Sequence, residues 1–344
     1  MNRPGARTTE LALGLACRAM DRYRDVFVSG PAARRLSRPQ PVRRTGFDRT
    51  VTVASVRHEA QDVVGLTLSS PDGAALPGWS PGAHVDLFLP SGRQRQYSLC
   101  GDPADRTHYR IAVRRLAGGR GGSLEVHETI RVGDVLAVRG PRNAFPMAGA
   151  HAYLFLAAGI GITPILAMVE AADAAGGDWC LVYLGRTRAS MPFLSALARY
   201  GDRVIIRCDD ENGRSDVAQL LDVAPPRAAI YACGPSALLD AVQHEAGARD
   251  RGTEVHFERF SPPPVHGGAP LTVTLARTGA SVAVAADESV LAAVRRTVPG
   301  VAYSCQQGFC GSCRTRVLAG RADGRPVADV LLCSTRGDGL VLDL

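Results

Sequence analysis

Four cysteines crowd into the last 40 residues of this 344-residue chain, and their spacing limits what that end can fold into more than any other feature. Cys305, Cys310 and Cys313 follow the pattern C-x4-C-x2-C, and 19 residues separate Cys313 from Cys333. Three thiols from one short loop and a fourth from the segment after it match the donor set of a plant-type 2Fe–2S cluster. Gly308, Gly311 and Ser312 lie among the first three ligands, so backbone N–H groups can approach the sulfides with little obstruction. Zinc is the competing reading, but zinc sites usually pair two C-x2-C knuckles, and only one short pair occurs here. The other five cysteines are scattered among apolar neighbours, which is not the layout of a disulfide framework. Of these, Cys17, Cys100, Cys180 and Cys208 read as buried fillers.

Hydrophobic residues make up 46% of the chain, enough for more than one core, so two or three domains are expected. All 40 basic residues are Arg, which excludes Schiff-base chemistry and a P-loop lysine. The net charge of +7 resides in residues 1–47, which hold ten Arg against three acids, while the remaining 297 residues balance 30 against 30. The basic segment can dock an acidic partner or stay solvated, and the chain carries no recognisable nucleic-acid-binding motif. The uncharged run from Ala152 to Val169 approaches membrane-spanning length, but Gly159, Gly161 and Pro164 in its middle fit a strand–loop–helix better. The short apolar run from Leu11 to Cys17 makes a poor signal peptide, so a cytoplasmic location without a transmembrane segment is expected.

The hydrophobic period divides the rest. Leu13, Ala16, Met20, Tyr23 and Phe27 recur at helical spacing ahead of an Arg- and Pro-rich stretch. Period-two runs at Val51–Val56, Val63–Leu68, Ala83–Leu89, Tyr97–Cys100, Tyr109–Arg114 and Val135–Arg139 predict a small antiparallel β-barrel. Apolar strands at Ala152–Ala157, Cys180–Leu184, Arg203–Cys208 and Ala228–Cys233 then alternate with helices at Thr163–Ala175, Pro192–Tyr200 and Pro235–Ala248. That alternation predicts an α/β domain with a parallel sheet. Three consecutive prolines mark a linker at Ser261–Pro270, and a last α+β unit follows with a helix at Ser289–Thr297 around the cysteine loop.

Two glycine turns fall where such a sheet binds ligands. Gly159-Ile-Gly-Ile-Thr-Pro164 follows an apolar strand and opens a helix, so its backbone can approach a pyrophosphate. It is not the full dinucleotide fingerprint, because Pro164 replaces the last small residue. Cys233-Gly234-Pro235 ends a later strand on the same sheet edge, and the two turns together predict a nucleotide crevice. In the barrel region, Arg95 and Tyr97 share one strand face, where a guanidinium can hold a phosphate and a phenol ring can pack on a flat ligand. Gly121, Gly122 and Ser123 read as an N-cap over a second phosphate-facing helix end. The eight His show no ligand spacing.

In chain order the segments RQYSLC, RIAVRR, GRGGS, PRNAFP, GIGITP, YACGP, HFERF and CQQGFCGSC resemble the phthalate dioxygenase reductase and vanillate demethylase reductase family across about residues 48–344. The resemblance implies an FMN-binding barrel over 48–148, an NAD(P)-binding α/β domain over 149–261, a linker over 262–270 and a β-grasp ferredoxin domain over 271–344. It implies FMN contacts from Arg95, Gln96, Tyr97, Ser98, Ala112, Val113 and Arg114, with Arg120, Gly121, Gly122 and Ser123 at the phosphate. Gly159, Gly161, Ile162, Thr163, Pro164, Gly234 and Pro235 would line the pyridine nucleotide. Thr163 would sit beside the flavin, Phe260 would stack on it until nicotinamide displaces it, and Cys233 would be a polarising neighbour rather than a nucleophile. The implied activity is electron transfer from NADH through FMN and the cluster to a separate Rieske-type oxygenase. A haem-thiolate monooxygenase is the alternative acceptor, and a redox-sensing regulator with the same cofactors is the rival class. Arg186 and Arg188 past the second strand can grip a 2′-phosphate, which leaves NADPH open. The short Cys313–Cys333 spacing and the 47-residue extension depart from the family pattern.

Overall fold

Residues 48–119, 121–249, 253–261, 265, 267–303, 306, 308, 311–322 and 324–344 are described by the computed structural model. The expected N-terminal helix, Cys17, Arg120, Cys305 and Cys310 lie outside the described residues.

The period-two pattern places Val51, Val53, Leu66, Leu68, Val85, Leu87, Ile111 and Val138 on one inner face, all fully buried. Six antiparallel strands carry them: β1 (Asp48–Ala60), β2 (Val63–Ser69), β3 (Ala83–Phe88), β4 (Gln94–Ser98), β5 (His108–Arg114) and β6 (Val135–Asn143). Their order is β4-β3-β6-β1-β2-β5, and the Cys100 N–H donates to the Arg110 carbonyl at 2.9 Å, drawing the end of β4 onto β5. The strand expected at Tyr97–Cys100 runs instead from Gln94 to Ser98. Gln94, Arg95 and Gln96 look too polar for a strand, yet they pair with Phe88, Leu87 and Asp86 because the outer face of β4 meets other parts of the molecule.

The second sheet is parallel, with order β11-β10-β7-β8-β9. Its strands are β7 (Ala152–Ala158), β8 (Asp178–Gly185), β9 (Val204–Cys208), β10 (Ala228–Cys233) and β11 (Val255–Glu258). The fifth strand, β11, escapes the sequence reading because it is four residues long, half-buried and polar at two positions. Helices Ile162–Ala174 and Ser236–Arg249 match expectation to within a residue at each end. The helix expected at Pro192–Tyr200 shrinks to Leu194–Leu197 followed by 3-10 turns, since Phe193 and Gly201 both take positive φ. Leu154, Leu156 and Val182 pack on one side of this sheet and Phe155, Leu181 and Tyr183 on the other. Ala60, Val63, Cys100 and Ala112 of the barrel join the second of these clusters, so the two modules share continuous apolar packing.

The third sheet is mixed, formed by β12 (Leu271–Leu275), β13 (Ser281–Val284), β14 (Arg314–Ala322), β15 (Arg325–Pro326), β16 (Asp329–Leu331) and β17 (Gly337–Leu342). The helix Val290–Thr297 covers it and begins at Ser289, whose side chain accepts the Ala292 N–H at 3.2 Å. Cys313 and Cys333 belong to this module's core. Of the presumed filler cysteines, Cys100 and Cys208 are buried, whereas Cys180 is only half-buried because it sits at the margin of the Leu154, Leu156 and Val182 cluster. Among the described residues no helix is long and apolar enough to cross a membrane.

Candidate functional site

The strand order of the parallel sheet reverses between β7 and β10, and a ligand crevice opens beyond the strand ends at such a switch point. Gly159–Gly161 forms a 3-10 turn directly after β7, and Gly234 follows Cys233 at the end of β10. Only glycine fits at position 161, because a Cβ there would overlap the Cys233 carbonyl. The Tyr183 hydroxyl donates to the Gly159 carbonyl at 3.1 Å and holds this turn from behind. The Thr163 hydroxyl donates to the Ile160 carbonyl at 3.0 Å, and Thr163 is buried. Its proton is committed inside the turn, and the hydroxyl oxygen keeps its acceptor capacity. Gly161→Ala is expected to cost about 1–3 kcal/mol of stability, the usual range for overpacking, measured by denaturant unfolding.

Strand β11 delivers Glu258 and Phe260 to the same edge. Phe260 is 49% exposed, unusual for a phenylalanine and suited to covering a flat ring. The Ser98 hydroxyl of β4 lies 3.4 Å from Glu258 Oε2 and joins the barrel to the nucleotide sheet. Burial pushes the Glu258 carboxyl up to about 8, with the Ser98 hydrogen bond opposing it. Burial, then the nearby Glu258, raises the Cys233 thiol well above its ordinary range. Cys233 is therefore a neutral thiol at physiological pH, as expected of a neighbour rather than a nucleophile. Glu258 escaped the sequence reading, although it stands in HFERF two residues before Phe260.

On the barrel side, Arg95 packs so closely on Gly122 that a Cβ at that glycine would overlap the guanidinium. The helix Gly122–Thr129 begins there, with Gly121 as N-cap and no side-chain cap, so its first N–H groups face the same place as Arg95. Ser123 is not part of the cap: its hydroxyl accepts the Leu116 N–H at 3.1 Å. The Tyr97 phenol is raised by burial, with Arg95 opposing, so the ring is a neutral surface. Gln96 points to the opposite face and donates to Asp86 at 2.9 Å, and Asp86 also pairs with Arg142. Only its backbone is left for a ligand on the Tyr97 side. The side chains of Ala112 and Val113 enter apolar cores because β5 is buried there. Arg114 alone of that segment approaches Gly159.

At the cluster end, Cys313 and Cys333 are 3% and 7% exposed, and the Leu332 N–H donates to the Cys313 carbonyl at 3.3 Å. Gln306, Gly308 and Gly311 all take positive φ. Two buried thiols on hydrogen-bonded segments fit a thiolate-bound cluster. Beyond β8, Arg188 is held by Glu211 through two bonds of 2.7 and 3.0 Å, while Arg186 is exposed and makes no ion pair among the described residues.

Residues 273–336 match the family described as the 2Fe-2S iron-sulfur cluster binding domain. The chain is 39% identical to a vanillate O-demethylase oxidoreductase of Pseudomonas putida, over 80% of this chain and 89% of that one. It is 35% identical to the phthalate dioxygenase reductase of Burkholderia cepacia, over 87% of this chain and 98% of that one. A solved phthalate dioxygenase reductase, described as a modular structure for electron transfer from pyridine nucleotides to [2Fe-2S], superposes with a TM-score of 0.69 over 86% of this chain and 98% of that one. An intact type IV self-sufficient cytochrome P450 monooxygenase contains a similar region: 39% identity, TM-score 0.68, 90% of this chain but 43% of that one. With its three modules, its 2Fe–2S domain and this degree of identity across them, the chain belongs to the phthalate dioxygenase reductase and vanillate demethylase reductase family of oxygenase reductases.

Proposed function

We propose that this chain draws electrons from NADH through FMN and a 2Fe–2S cluster and delivers them singly to a separate Rieske-type oxygenase in the cytoplasm. One observation carries the route. The five-residue strand β4 touches both ends of it, through Ser98 to Glu258 at the nucleotide edge and through Gln94 to Tyr303 beside the cluster loop. A flavin held here would supply the conversion between a two-electron hydride donor and a one-electron cluster.

The residues supply positioning. Arg95 and the helix start at Gly122 hold the phosphate, and the Tyr97 ring supports the flavin plane. The exposed Phe260 ring would cover a flavin held here and keep water from it, giving way to nicotinamide. Glu258 holds a proton at its carboxyl at neutral pH, and the Ser98 hydroxyl hydrogen-bonds it. The Gly159–Gly161 turn and Gly234 admit the dinucleotide backbone, and Cys305, Cys310, Cys313 and Cys333 hold the cluster. The modules are taken as 48–148, 149–261 and 271–344.

Mixing the NADH-reduced protein with purified oxygenases tests the partner. Fast reoxidation by a Rieske-type oxygenase supports the reading. Reoxidation only by a haem-thiolate monooxygenase establishes the second reading, which the P450-fused structure favours.

Nucleotide choice follows from charge. Glu211 already neutralises Arg188, and Asp209 and Asp210 precede it, so a 2′-phosphate at this end of the crevice meets carboxylates. Glu211→Gln is expected to raise the NADPH-to-NADH ratio of kcat/KM about fivefold, the scale of one exposed ion pair, and less at high salt.

A further inference from the structure

Tyr303 stands two residues before Cys305, and its hydroxyl donates to the Gln94 carbonyl at 2.9 Å. The Gln94 side-chain amide returns a bond to the Tyr303 carbonyl at 3.3 Å. The same Gln94 carbonyl accepts from Arg95 Nη1 at 2.8 Å. One oxygen is thus shared by the arginine assigned to the flavin phosphate and by the residue that leads into the cluster loop. The ring is clamped from its other side, with the Arg295 guanidinium 4.0 Å from its centroid and bonded to the Val301 carbonyl at 2.6 Å. Gln94 is 8% exposed, so the pair is sheltered from competing water.

We propose that the Gln94–Tyr303 pair is the latch that positions the cluster loop on the flavin strand and so sets the rate of internal electron transfer. The covalent connection is a ten-residue stretch, Ser261–Pro270, that the sequence marks as a linker with three consecutive prolines and two glycines. Non-covalent contacts must hold the two redox centres in register, and a reciprocal pair constrains both distance and orientation. Tyr303 acts as a positioning residue: it takes no part in hydride transfer. The proposal rests on the reading of β4 as the flavin strand.

The test uses the full-length holoprotein carrying Tyr303→Phe, which keeps the ring and its Arg295 stack and removes only the hydroxyl bond. Rapid mixing with NADH follows flavin bleaching and cluster bleaching separately, and limited proteolysis reads the accessibility of the linker. Flavin reduction is expected at the parent rate, cluster reduction slowed about tenfold or more, and linker cleavage accelerated. Gln94→Ala, on the opposite module, removes the returning bond and is expected to slow the same phase; it decides the matter if Tyr303→Phe fails to assemble its cluster. Cluster reduction and linker cleavage at parental rates in the assembled variants overturn the latch. A parent protein whose flavin NADH does not reduce overturns instead the functional reading beneath it.

Discussion

Cys333→Ser is expected to abolish the cluster and, with it, NADH-driven reduction of any one-electron protein acceptor, by more than about 100-fold. Thiolate ligands are not replaceable by a hydroxyl of much higher pKa, and Cys333 is 7% exposed within the ferredoxin core. The loss is selective. In the proposed reading, hydride transfer belongs to the crevice formed by β7, β10, β11 and β4, away from Cys333, so reduction of a small acceptor directly from flavin should survive. Electron paramagnetic resonance of the NADH-reduced protein checks the cluster, and paired assays with ferricyanide and a protein acceptor check the selectivity. Survival of the cluster signal in Cys333→Ser would remove this residue from the ligand set. The ferredoxin module should also melt earlier in this variant, because metal binding contributes directly to folding in small modules.

The second large effect is at Glu258. Its carboxyl titrates near 8 in the folded chain against 4.5 ordinarily, so it is mostly protonated at neutral pH. Between these two values the folded state binds the proton more tightly than the unfolded state. Stability contributed by the protonated group is therefore complete below about pH 4.5 and lost as pH rises toward 8. In the same upper range the ionised carboxylate places negative charge where the Ser98 hydroxyl meets the nicotinamide end of the crevice. NADH-driven flavin reduction is expected to fall as pH passes about 8. Glu258→Gln keeps a neutral partner for Ser98 and should flatten that profile. Glu258→Ala leaves the hydroxyl without its partner and should slow flavin reduction about 100-fold with flavin content preserved. Stopped-flow bleaching across pH 6 to about 9.5 distinguishes the three forms. An unchanged profile in Glu258→Gln would assign the pH dependence elsewhere.

How much of this was legible beforehand varies with the range of the interaction. The cluster motif, the two glycine turns and the barrel's period-two runs are local patterns, so they stand in the chain as written. The dual role of β4 is not local. Arg95 and Tyr97 announce a ligand face, but Gln94, Gln96 and Ser98 on the other face make sense only beside Tyr303, Asp86 and Glu258, which lie 209, 10 and 160 residues away. The bond from the Thr163 hydroxyl to the Ile160 carbonyl and the pairing of Arg188 with Glu211, 23 residues on, are likewise invisible in the sequence.

The sequence by itself determined the three module types and their order, and it pointed to the four cysteines as cluster ligands and to the glycine edge of the parallel sheet as the nucleotide site, because each rests on spacing or periodicity within a short window. Tertiary structure alone brought Glu258 and Cys233 into surroundings that raise both groups, and alone placed one short strand between the Glu258 edge of the parallel sheet and Tyr303. Burial and charge pairing are properties of neighbours in space. Neither exists until the chain has folded and segments far apart in sequence have excluded water from each other.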